Sequence, residues 1–155
     1  MEVWRIAREL YATDLSGQGA ALFGGRWNHI EHRALYFGMT PAICALETFI
    51  HATEMPRFRL KIVRLQLPDT PALYWEPAVE ELPGGWDAKP ADSPSMDFGT
   101  QWLERREQLG LIVPSAVLPQ ARNIMLNPEH AAASQIEIIE VANFSHDSRM
   151  FASRL

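Results

Sequence analysis

The sequence has very little cysteine: Cys44 stands alone in 155 residues. One thiol excludes an internal disulfide framework and any multi-cysteine zinc site, and it suits a reducing compartment, so a cytoplasmic location is expected. Long apolar runs are missing as well. No stretch approaches the roughly 18 residues that cross a bilayer. The opening Met1-Glu2-Val3-Trp4-Arg5 also lacks the basic and apolar regions of a signal peptide, so no membrane role is expected. There is no cationic excess: 14 Lys and Arg against 19 Asp and Glu leave a net charge of −5. That balance argues against direct nucleic-acid binding over a broad surface, but one or two arginines could still hold a small anion. G-x-G-x-x-G, P-loop, G-x-S-x-G and H-E-x-x-H signatures are all absent. His29 and His32 flank Glu31 in an expected hairpin loop with no further ligand cluster beside them, so no metal is expected.

What is present is 47% hydrophobic residues, enough for a single core in one domain spanning 1–155. Val3 to Ala7 reads as a short strand and Thr13 to Gly19 as a turn-rich loop. Ala34 to Phe37 has the composition of a buried strand, closed by Gly38. Thr40-Pro41 marks a helix start, the threonine capping a free N–H and the proline sitting in the first turn; that helix should reach about Ala52. Arg57 to Leu67 alternates as a strand with one solvated face, ended by Pro68. Prolines, Gly84-Gly85 and two tryptophans between Asp69 and Pro94 predict irregular structure around a short helix near Pro77 to Leu82. A second helix is expected over Ser95 to Leu109, with Glu104 to Glu107 in water. Leu111 to Val117, Asn123 to Asn127 and Ile136 to Val141 read as strands, with a short helix from Pro128 to about Ala133. The sum is an α+β domain with mixed, mostly antiparallel sheets and flanking helices.

Several residues could carry chemistry. Arg26 follows Gly24-Gly25, where exposed N–H groups and a forked guanidinium could hold a phosphate; the alternative is a surface arginine in a turn. Glu47 falls at the border of the apolar stripe of its helix, beside Ile43 and Ile50, where a carboxylate either bonds a structural neighbour or lines a pocket. Strand alternation turns Tyr36 away from Leu35 and Phe37, as core or as a flat surface for an aromatic ligand. Ser115 sits in an expected buried strand and must find a partner for its hydroxyl; no histidine base is evident beside it.

Three strings in the N-terminal half, Ala20-Ala21-Leu22-Phe23-Gly24-Gly25-Arg26-Trp27-Asn28, Ala34-Leu35-Tyr36-Phe37-Gly38 and Ala45-Leu46-Glu47-Thr48, resemble the first block of the RES domain. Val113-Pro114-Ser115-Ala116-Val117 and Asn123-Ile124-Met125-Leu126-Asn127-Pro128-Glu129-His130 resemble its second block. In order and spacing the likeness covers about Trp4 to Val141. The arginine, glutamate and serine that name the family fall on Arg26, Glu47 and Ser115. The resemblance implies an ADP-ribosyltransferase-like fold and the toxin half of a bacterial RES/Xre-type toxin–antitoxin pair. Its substrate would be NAD⁺, cleaved or used as an ADP-ribose donor, with no separate cofactor. It further implies a cognate helix-turn-helix (Xre-like) antitoxin that handles DNA, and it leaves a homodimer open. On this expectation Glu47 stabilises the ribosyl cation, Arg26 neutralises the pyrophosphate and Tyr36 orients the nicotinamide. Ser115 bonds phosphate or ribose, Arg5 is a second phosphate ligand and Asn123 is a polar pocket wall. The rival expectation is a catalytically silent domain that binds a nucleotide or a protein.

Overall fold

The computed structural model describes Met1–Ser153. Seven strands, β1 (Glu2–Arg8), β2 (Leu35–Gly38), β3 (Leu60–Gln66), β4 (Tyr74–Trp75), β5 (Gly110–Pro114), β6 (Arg122–Leu126) and β7 (Glu137–Phe144), form one sheet in the order β4-β5-β6-β2-β1-β3-β7. All neighbours run antiparallel except β4 and β5. The α-helices are α1 (Gln18–Phe23), α2 (Pro41–His51) and α3 (Ser93–Arg105). The α+β class and the single small domain are therefore as expected, although the strands make one sheet rather than several. None of the helices is long and apolar enough to cross a membrane among the described residues.

Alternation along the central strands builds a core on each face of the sheet. Leu35 and Phe37 of β2 join Ile124 and Leu126 of β6 on one face, with Val3, Val63 and Leu65. On the other face Met125, Leu111 and Val113 pack under Trp27, Trp102 and Leu103, with Tyr36 and Trp86 against them. Strands covered on both sides read as continuous apolar runs, which is why Leu35-Tyr36-Phe37 and Asn123 to Leu126 stood out in the sequence. Gly99 explains how closely α3 settles on this second face: a Cβ there would stand 1.9 Å from the Trp27 carbonyl oxygen.

Helix α2 begins as expected, the Thr40 hydroxyl accepting from the Ile43 N–H at 3.2 Å with Pro41 in the first turn. Other boundaries moved for physical reasons. The expected loop up to Gly19 yields at Gln18 to α1, a short helix with no side-chain cap and no buried residue, hence no amphipathic pattern to detect. Helix α3 starts earlier, because Asp92 accepts from the Ser93 N–H, and ends at Arg106, whose left-handed backbone (φ 55°) lets Leu109 pair with Leu73 instead. The short helices expected near Pro77–Leu82 and after Pro128 are 3₁₀ turns, Val79–Glu81 and Ala131–Gln135. Strand β4 escaped notice because two residues carry no alternation.

Candidate functional site

Strands β1 and β2 share register at one position, Trp4 opposite Gly38. Beyond it β1 continues beside β3 over its full length and β2 beside β6, so the sheet forks. The fork opens a cleft of about 1270 Å³, lined by Arg5–Ala7 of β1, Leu35–Gly38 of β2, the inner side of α2, Gly24–Trp27 and Lys89–Ala91. Strand edges that part in this way leave backbone donors and acceptors facing the opening. Cys44 lies near the fork, its thiol beside the backbone of Ile6 and Gly38; burial pushes its pKa up to about 11, so it is a neutral thiol at physiological pH.

Glu47 projects into this cleft from the second turn of α2, with about a quarter of its side chain exposed. Two donors converge on its Oε1: the Ser115 hydroxyl at 2.6 Å and the Asn123 side-chain amide at 2.9 Å. Ser115 is itself fully buried, and its Oγ accepts from the N–H groups of Val117 (3.1 Å) and Leu118 (3.2 Å), which fixes the hydroxyl in the turn after β5. Oε2 makes no hydrogen bond among the described residues and stands 4.0 Å from Nε2 of His51, one helical turn on and largely exposed. Sequence reasoning passed over His51, though its i+4 spacing from Glu47 on a predicted helix was a usable signal. It also read Ser115 as a ligand for phosphate or ribose. The geometry gives that hydroxyl to Glu47, so the serine acts on the cleft through the carboxylate.

Tyr36, on β2 beside β6, and Arg26 also line the cleft. The Tyr36 hydroxyl donates to Asn28 Oδ1 at 2.6 Å and accepts from the Trp27 N–H at 3.1 Å, while burial raises its pKa. Asn28 is fully buried, and its amide donates to the carbonyls of Ala20, His29 and His32, so the whole Gly24–His32 loop is folded around that side chain. Gly25 is required there: a Cβ would approach both Asn28 Oδ1 and Tyr36 Oη to 2.8 Å. Arg26 uses Nη1 to grip the carbonyls of Trp86 (3.0 Å) and Ala88 (2.8 Å). The irregular segment before α3 thus becomes a strap that supplies a wall of the cleft.

Arg5 also lines the cleft, but its Nη2 donates to the carbonyls of Ala12 and Asp14, and its guanidinium lies 5.4 Å from the Phe37 ring centre. Burial lowers its pKa from the ordinary value. One terminal nitrogen of Arg5 thereby holds the loop after β1. His29 and His32 turn outward to α3, pairing with Asp97 at 2.6 Å and Glu104 at 3.1 Å. Glu104, expected only in water, therefore helps dock the hairpin.

The arrangement thus joins Glu47, Ser115 and Asn123 directly, with Arg26 and Tyr36 lining the same cleft. A chain of the solved M. tuberculosis MbcT–MbcA toxin–antitoxin complex shares the fold, with a TM-score of 0.77 at 18% identity, over 93% of this chain and 84% of that one. The "Prs ADP-ribosylating toxin" of Sphingobium sp. (strain YBL2) is 38% identical over 95% of this chain and 94% of its own length. A "Toxin Res" from Yersinia enterocolitica is 32% identical, over 97% and 99%. The RES domain model matches residues 2–149. Since that match takes in both strings of the cleft, from Arg26 and Glu47 through Ser115, the chain belongs to the RES domain family.

Proposed function

We propose that this chain is the toxin of a toxin–antitoxin pair and that it breaks the nicotinamide–ribose bond of NAD⁺ in the forked cleft. The observation that carries the reading is Glu47, a carboxylate on the cleft wall with one oxygen fixed by Ser115 and Asn123. Breaking the C–N bond sends its electron pair to nicotinamide and leaves positive charge on the ribose carbon and ring oxygen. A preorganised carboxylate stabilises that charge as it develops, without reorganising at the moment of reaction. Tyr36 offers a ring to the nicotinamide, the open strand edges of the fork offer backbone partners to its carboxamide, and Arg26 offers the unengaged side of its guanidinium to the pyrophosphate. The acceptor then gives a lone pair to the ribose carbon and loses its proton. Water gives hydrolysis, inorganic phosphate gives phosphorolysis, and a protein side chain gives ADP-ribosylation.

Transfer to a protein is the second reading, and one feature favours it. Tyr11, Phe23, Ile50 and Phe58 line the cleft and are each substantially exposed, Phe23 by 84%, which makes an apolar mouth suited to another macromolecule. The name of the Sphingobium relative points the same way. An antitoxin partner of helix-turn-helix type fits either reading.

Expression in a bacterial host tests the proposal. The parent chain should arrest growth and lower cellular NAD⁺, or modify a protein with ADP-ribose, whereas Glu47→Gln, which keeps the shape but removes the charge, should permit normal growth. Arrest by a folded Glu47→Gln protein equal to that of the parent would favour a silent binding domain.

A further inference from the structure

The strap between Gly84 and Pro90 is held more firmly than its composition suggests. Trp86 stacks on Trp27, ring centres 6.1 Å apart and planes 19° from parallel. The Trp86 and Ala88 N–H groups close successive turns onto the Pro83 and Gly85 carbonyls, both at 3.1 Å. Arg26 then binds the carbonyls of Trp86 and Ala88 with one nitrogen. The next residue is Lys89, which is exposed and lines the cleft. Among the described residues it takes part in no ion pair, although Asp87 and Asp92 lie close in sequence. Asp92 is occupied as the cap of α3.

The cleft is short of available positive charge. Arg5 and Arg26 each have one terminal nitrogen committed to two backbone carbonyls, and Glu47 and Asp14 add negative charge to the lining. A pyrophosphate carries charge on both phosphates and is bound best by two cationic groups that approach it together. We propose that Lys89 is the second phosphate-binding cation of the site, paired with Arg26, and that the grip of Arg26 on the Ala88 carbonyl is what presents it. This rests on the NAD⁺ reading above and deepens it, by assigning the strap a share in recognising the phosphates. Arg26 then acts twice, by touching the anion itself and by positioning the neighbouring lysine.

The experiment compares the parent with Lys89→Ala, Lys89→Glu and Lys89→Arg on two substrates, NAD⁺ and nicotinamide riboside, which has the same scissile bond and no phosphate. The KM for NAD⁺ relative to that for the riboside should rise roughly threefold to tenfold in Lys89→Ala. It should rise further in Lys89→Glu and recover in Lys89→Arg, with kcat for NAD⁺ little changed. An unchanged ratio in Lys89→Ala and Lys89→Glu, in enzyme that still cleaves NAD⁺, overturns the assignment and leaves NAD⁺ cleavage standing. If the parent leaves NAD⁺ intact, the NAD⁺ reading fails separately, and calorimetry with ADP decides the lysine. Weaker ADP binding by Lys89→Glu than by the parent supports the cation site; equal affinity, or no binding by the parent, overturns it.

Discussion

Ser115 meets the cleft only through Glu47, and that relation sets what its removal should do. In Ser115→Ala the carboxylate keeps Asn123 but loses its shorter bond, while the Val117 and Leu118 N–H groups lose their acceptor. A hydrogen bond to a charged group contributes about 1.5–3 kcal/mol, so the rate should fall roughly tenfold to a hundredfold. Because Ser115 is buried behind Glu47 and does not line the cleft, the proposed function puts the loss in kcat, with KM for NAD⁺ nearly unchanged. A rise in KM with kcat preserved would instead make Ser115 a direct ligand. The sequence singled out Glu47, Arg26, Tyr36 and Ser115, because a half-buried carboxylate, a glycine-flanked arginine and polar residues in apolar strands are locally conspicuous, and the family resemblance added Asn123. It could not say that serine and asparagine share one carboxylate oxygen. That is a meeting of residues 68 and 76 positions apart in the chain. Nor could it say that Arg26 spends one nitrogen on a strap 60 residues away.

Among the elements, those with a strong period or a cap were legible and those shaped by long-range contact were not. Thr40-Pro41 announced α2, and the apolar runs announced β2 and β6. By contrast α1, β4 and the fork between β1 and β2 depend on partners distant in sequence. The C-terminal segment carries a pH dependence that only the fold reveals. His146, after β7, is 5% exposed and packs edge-on against Phe49 of α2, Phe144 of β7 and Phe151 of the 3₁₀ turn Ser148–Phe151. Neither ring nitrogen has a hydrogen-bond partner among the described residues, and burial lowers its pKa below the usual histidine value. The unfolded chain, with an ordinary histidine near pH 6.5, therefore binds more protons than the folded one just below that pH. Stability is complete above about pH 6.5 and falls as the pH drops through the folded value. Thermal melting followed from about pH 7 down to pH 5 should show a smaller loss in His146→Phe than in the parent. Equal slopes in the two proteins would show that His146 does not drive the acid sensitivity.

For the molecule as a whole, the fork in the sheet is the feature from which function follows. The central strands are covered on two faces, and the parting of β1 and β2 beyond Trp4 and Gly38 opens the cleft between them. Glu47, bonded to its two donors, lines that cleft together with Tyr36, Arg26 and the end of the strap. The negative net charge agrees with the proposal that a partner chain handles DNA while a few cations here meet one small anionic ligand. Membership of the RES domain family was legible from ordered motifs spread over nearly the whole chain, whereas the acceptor depends on what reaches the apolar mouth. The most direct measurement incubates the purified chain with NAD⁺, with and without inorganic phosphate, and identifies the products by mass spectrometry beside folded Glu47→Ala and Arg26→Ala proteins. Free nicotinamide from the parent, lost in both variants and accompanied by ADP-ribose or its phosphorylated form, is the predicted result. Intact NAD⁺ at high concentrations of folded parent protein, in both conditions, would contradict cleavage of free NAD⁺ in this cleft.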